Sequence, residues 1–209
     1  MNQRINLILV SLFSCALIAG CAGEKVRNVS FQQAQWETKA MVRDLKENKT
    51  QSLSIDVLAI KNERMRMEVT ALMGFRVASL VMSPRDISFA IYPQKRFYYG
   101  KNSEKALSRL IDLPLHPMNL ENIAFDEPVR GPGWRCDLDQ SGWVAMCENP
   151  SRQLTVKWLD RAEGAKKVVI TGPQFEMQWL FNAPQTEVQF KPETFTLKQP
   201  EGFKPIQLN

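Results

Sequence analysis

Histidines, cysteines and closely spaced carboxylates are the side chains with which this sequence could do chemistry, and there are few of them. His116 is the only histidine among 209 residues; it sits between Leu115 and Pro117, with no cysteine or carboxylate cluster at a metal-ligand spacing. A zinc site is therefore not expected. No Gly-x-Ser-x-Gly elbow, phosphate-cradling glycine loop or His-Glu-x-x-His helix occurs, so hydrolase, nucleotide and metalloprotease chemistries lack their parts. Asp137 and Asp139 share a strand face two residues apart, an arrangement that suits solvated surface acids better than an acid/base couple. The chain reads as a binding protein rather than an enzyme, with no cofactor. Its remaining reactive groups are the thiols of Cys15, Cys21, Cys136 and Cys147.

The N-terminus sorts these thiols. A basic start ending in Arg4 precedes an apolar stretch over 5–18 and then Ala19-Gly20-Cys21, the order of an export signal with small residues at its cleavage point. The apolar stretch falls short of the roughly 20 residues that span a bilayer, so residues 1–20 are expected to be a signal peptide. Ile18-Ala19-Gly20-Cys21 resembles the lipobox of bacterial lipoproteins, which implies a diacylglycerol on the Cys21 thiol and an acyl chain on its amine. At about 0.8 kcal/mol per buried methylene, such an anchor is effectively permanent. Ala22 stands where an aspartate would resemble an inner-membrane retention signal, so the same pattern implies the periplasmic face of the outer membrane. Cys136 and Cys147, left in an oxidising compartment, are expected to pair across a hairpin turning at Ser141-Gly142. Closing so short a loop is worth about 3 kcal/mol.

These features need a scaffold. Without the signal, 189 residues remain, enough for one well-buried domain. With 44% hydrophobic and 23% charged residues, and with Lys and Arg scattered among acids, neither a disordered chain nor a nucleic-acid binder is indicated. A lipidated tether is expected over 21–35 and a single domain over 36–209. Within the domain, alternation at period two dominates. Strands are expected over 36–43, 53–57, 64–71, 76–81, 87–91 and 97–99; two amphipathic helices follow, near Leu107, Leu110 and Ile111 and near Leu120 and Ile123. Strands resume over 134–138, 143–148, 154–159, 165–171, 175–181 and, more weakly, 194–197. Trp36, Trp158 and Trp179 read as packing residues, and Trp143 as a candidate interfacial anchor. The fold class is thus mainly β, an incomplete antiparallel barrel of about eleven strands with two short helices as lid or plug.

Arg64-Met-Arg-Met-Glu-Val-Thr-Ala-Leu-Met-Gly74, between a hairpin and a short apolar strand, is similar to the strand, turn and strand of the outer-membrane lipoprotein receptor LolB. Leu107-Ser-Arg-Leu-Ile-Asp-Leu-Pro-Leu-His-Pro-Met-Asn-Leu120 resembles that family's lid segment. The resemblance covers roughly residues 36–128. It implies a half-barrel whose apolar cavity takes up the acyl chains of lipoprotein cargo handed over by a LolA-like periplasmic carrier. By the same resemblance, Leu72, Met73 and Gly74 form a membrane-insertion loop, and Met65, Met67, Val69, Ile87, Phe89, Ile91, Leu107 and Leu110 line the acyl cavity. The pair Cys136 and Cys147 is not part of the family pattern.

Overall fold

The structure, a computed structural model, describes residues 26–111 and 113–208. Cys21 and the expected signal peptide over 1–20 lie outside the described residues, as do the side chains of Leu72 and Leu110. The alternating segments form one twelve-stranded sheet among the described residues, in the order β12-β6-β5-β4-β3-β2-β1-β11-β10-β9-β8-β7. The first six strands are a meander: β1 (Gln33–Asp44), β2 (Lys49–Ile60), β3 (Arg64–Ala71), β4 (Arg76–Met82), β5 (Asp86–Ile91) and β6 (Arg96–Lys101). Helices α1 (Glu104–Ile111) and α2 (Met118–Ala124) then carry the chain from the β6 side to the far edge of the sheet. A second meander starts there with β7 (Arg135–Leu138) and β8 (Val144–Asn149) and continues through β9 (Leu154–Ala162), β10 (Ala165–Thr171) and β11 (Phe175–Phe181). Because β11 pairs with β1, the two meanders share one sheet, and the crossing helices have to lie over its concave face.

Parity explains the core. Trp36, Ile55, Val57, Met65, Leu80, Ile87, Val156, Val168, Ile170 and Trp179 all point inward from their strands. They join Leu107, Leu113, Leu115, Leu120, Ile123 and Phe125 from the helical crossing in a single apolar cluster. The one hydroxyl among the inward residues of β1, Thr38, is satisfied: it donates to the Ile55 carbonyl (2.7 Å) and accepts from the Trp179 indole (2.7 Å).

Three differences from the sequence expectation concern the ends. The C-terminal strand is not at 194–197, where the chain makes a 3-10 turn (Pro192–Phe195), but at β12 (Lys204–Leu208). It takes the place of the expected last strand and pairs with β6 in parallel. The reason is the path: after β11 the chain crosses the convex face, where the Arg66 guanidinium donates to the Thr194 (2.8 Å) and Thr196 (3.3 Å) carbonyls, and it reaches the β6 edge running the same way as that strand. Gly100 permits the docking, since a side chain there would collide with the Leu208 carbonyl oxygen. At the other end β1 begins at Gln33 rather than 36, and Val29 and Phe31 before it pack against the core. The sheet is open, with β12 and β7 as its edges.

Candidate functional site

The concave face with its helical cover is the site to which the sequence assigned acyl binding. Met65, Met67, Ile87, Phe89 and Leu107 are buried in the central cluster, and Val69 and Ile91 are packed against it, half-buried. What fills the concavity opposite the strands comes from α1, the step over 113–117, α2 and Phe125. Among the described residues, Ile87, one of those assigned to acyl lining, borders a cavity of about 320 Å³ that opens between β4, β5 and the 192–197 segment. Another, of about 400 Å³, lies between the helices and the β2–β3 and β4–β5 turns; Asn62, Pro84, Glu104, His116, Asn119 and Arg130 are among its walls. His116 stands there alone, its Nδ1 accepting the Met118 N–H (3.3 Å), and burial pulls its pKa down against the opposing charge of Glu104. Among the described residues no group of three His, Cys, Asp or Glu could hold a metal ion. Asp137 and Asp139 form no couple: Asp139 caps its own turn, accepting from the Ser141 (2.8 Å) and Trp143 (3.0 Å) amides.

Helix α2 is fastened by buried polar groups that the sequence reading missed. The Lys166 ammonium, buried on the inner face of β10, donates to the carbonyls of Ile123 (2.9 Å) and Ala124 (2.6 Å) at the helix C-terminus and pairs with Asp126 (3.0 Å). Burial pulls its pKa down to about 8, with Asp126 opposing the shift. Strand parity was the available signal, because Lys166 alternates with Val168 and Ile170 and so had to face inward. Glu121, 1% exposed, accepts the Asn62 N–H through one carboxylate oxygen, while the other finds no hydrogen-bond partner among the described residues. Burial raises its pKa to about 7, aided by Glu127 and opposed by the Asn62 N–H, Lys61 and Arg130. Glu127 in turn bridges Lys61 (2.7 Å) and Arg130 (2.9 Å). Asn119 completes the fastening, exchanging hydrogen bonds with the Arg130 backbone (2.8 and 2.9 Å).

The segment over 26–32 straps this end of the sheet. The Arg27 amide donates to the Gly142 carbonyl (2.7 Å), and its guanidinium lies 5.1 Å from the Trp143 ring centre, with that of Arg161 5.9 Å from the same ring. Trp143, the candidate interfacial anchor, is half-buried with both cations against its ring. Phe31 packs on Phe125 (5.7 Å) and Trp36 (6.0 Å), and with Val29 it walls a further cavity of about 220 Å³. The hairpin beneath the strap is stapled: Cys136 and Cys147 lie directly opposite each other in the β7–β8 register and are disulfide-bonded, with Cα atoms 4.0 Å apart.

At the opposite end of β1, the turn joining β3 to β4 holds Met73 and Gly74 both at positive φ (68° and 76°), and the Ala71 amide donates to the Phe75 carbonyl (2.8 Å). Glycine adopts that backbone freely; methionine does so at a cost of about 1 kcal/mol or more. Yet Met73 is 86% exposed, so no packing offsets the strain.

Solved structures share this architecture. A LolA superfamily protein from Nitrosomonas europaea is similar with a TM-score of 0.53 at 12% identity, over 81% of this chain and 92% of the other. The chain shares the fold of that LolA superfamily protein. A candidate outer membrane lipoprotein-sorting protein domain from Vibrio parahaemolyticus is similar with a TM-score of 0.50 at 9% identity, over 78% of this chain and 88% of that domain. No family model matches the sequence, and no curated protein matches it significantly. At such identities the likeness shows the fold alone.

Proposed function

We propose that this protein is a LolB-like lipoprotein of the cell envelope, anchored through acylated Cys21 at the periplasmic face of the outer membrane. It accepts the acyl chains of lipoprotein cargo from a LolA-like carrier and assists their insertion into that membrane. One observation carries the reading. The apolar side chains that fill the concave sheet belong to a separate crossing segment, fastened over it by Lys166, Glu121 and Asn119, so acyl chains can take their place when α1 and α2 lift. Lys166, Asp126 and Glu121 then act as the latch of a lid that carries Leu107 and Leu110 on α1, and Met65, Met67, Val69, Ile87, Phe89 and Ile91 become the cavity wall. The Met73 turn, strained and bare, is the part that enters the membrane, and the two solved structures support the fold side of this reading.

A photo-crosslinking amino acid placed at Val69 or Ile91, half-buried on the inner face, tests it. With a triacylated peptide as ligand, cross-links are expected from these positions and not from Leu159 on the outer face. Met73→Glu should leave the melting temperature nearly unchanged and binding intact, while insertion of cargo into liposomes falls. A second reading, a structural or protein-binding envelope lipoprotein with a permanently filled core, draws on the same dense packing. It predicts no cross-link from either inner position, which is the result that would replace the first reading.

A further inference from the structure

An antiparallel meander sends alternate turns to the same end of its sheet. The turns over 45–48, 72–75 and 92–95 thus share one end, and those over 61–63 and 83–85 the other. The two ends differ in character. The first presents Met73 at 86%, Phe75 at 67% and Leu45 at 43% exposure, while among the described residues no exposed large apolar side chain lies on the two turns of the second. Around these three, Arg43, Lys46, Lys49, Arg76, Lys95 and Arg96 are all exposed; the acids near them are the exposed Asp44 and Glu47 and the half-buried Glu176, cross-strand from Arg43, and Glu68, whose charge acts on Arg76. Both exposed acids are engaged locally. Asp44 accepts the Lys46 (2.8 Å) and Glu47 (2.9 Å) amides of its own turn, and Glu47 pairs with Lys49 (2.6 Å). The Arg76 guanidinium is held over the Tyr92 ring (5.2 Å), next in sequence to Phe75. Lys46, Lys95 and Arg96 make no ion pair among the described residues.

Apolar tips inside a ring of excess cations are complementary to one kind of surface: acyl chains beneath anionic headgroups. We propose that this end of the sheet is a membrane-docking surface selective for anionic phospholipid, using the β1–β2 and β5–β6 turns together with the Met73 turn. The inference rests on the reading in which Met73 enters the membrane and extends it by naming the lipid class and two further turns. Met73, Phe75 and Leu45 enter the acyl boundary, and the basic side chains meet the phosphates.

The test uses residues 22–209, which contain every described strand and helix and the whole apolar cluster. Flotation with vesicles of phosphatidylcholine alone is compared with vesicles of phosphatidylcholine mixed with phosphatidylglycerol, at low and high salt. Binding should favour the mixed vesicles and weaken with salt. The double variant Lys46→Glu, Arg76→Glu should bind at least about 25-fold more weakly, at about fivefold per basic residue lost near an anionic surface. Met73→Ser with Phe75→Ser should also weaken it, and Arg85→Glu at the opposite end should not. Equal binding to both lipids that still needs Met73 would overturn the anionic selectivity and leave the turn's membrane role standing. Weakening by Arg85→Glu as large as by the double variant would overturn the location. Binding to neither vesicle would overturn both this proposal and the membrane role of the turn.

Discussion

Glu121→Gln should stabilise the protein at neutral pH, although it removes a charge from a polar cluster. In the folded chain the carboxyl is 1% exposed, and burial raises its pKa from 4.5 to about 7. Below pH 4.5 the group is protonated in both the folded and the unfolded chain and contributes no pH-dependent difference. Between 4.5 and about 7 the unfolded chain releases the proton while the folded chain keeps it, so stability falls as pH rises through this window. Above 7 the folded state bears the full cost of a buried carboxylate, about 3 kcal/mol at about 1.4 kcal/mol per pH unit. Glutamine keeps the acceptor for the Asn62 N–H and cannot ionise. At pH 8 the variant should therefore be more stable by up to about 3 kcal/mol, or about 6–12 °C in Tm for a domain of this size. At pH 4.5 the two proteins should nearly coincide. Urea unfolding of both across pH 4.5–8 isolates the Glu121 contribution, because the other titrating groups are common to the pair. A difference that is the same at both pH values, or a variant less stable at pH 8, would refute the reasoning. In the lid reading, the same ionisation loosens α2 at neutral pH.

Lys166→Met removes the donor to two helix-terminal carbonyls and one partner of Asp126, which retains Arg161 at 3.2 Å; a loss of about 3 kcal/mol is expected by chemical denaturation, with faster amide exchange in α2. The wild-type protein should also gain stability from pH 8 to 10.5 on account of this lysine, since the unfolded chain there holds a proton that the folded chain has released; Lys166→Met should lack that rise. Gly100→Ala should detach β12, read as loss of exchange protection over 204–208 while β1 to β5 stay protected. Trp143→Ala removes the ring between Arg27 and Arg161 and should expose residues 26–31 to proteolysis with a stability loss of about 1–2 kcal/mol. Resistance equal to wild type would mean that Phe31 alone holds the strap.

The sequence by itself determined the elements whose physics is local. Alternation in 64–71 and 165–171 could be satisfied only by strands with one apolar face, and Leu107, Leu110 and Ile111 at helical spacing only by a helix. The pairing of Cys136 with Cys147 also followed, because a short turn forces residues at equal distances from it into register. Tertiary structure decided everything that depends on which elements meet. The last strand lies at 204–208, not 194–197, because the chain's route across the convex face, and not its propensity, chose what pairs with β6. Glu121 and Asp126 look like ordinary surface acids in sequence; the crossing of α2 over the sheet brings one beside the Asn62 amide and the other beside Lys166. Nothing in Arg27 or Trp143 announces that they stack, since 116 residues separate them and only the return of the second meander to β1 brings the stapled hairpin under the strap. The positive-φ backbone at Met73 follows from a turn that closes between β3 and β4, so the exposure of that side chain was settled by strand register rather than by its hydrophobicity.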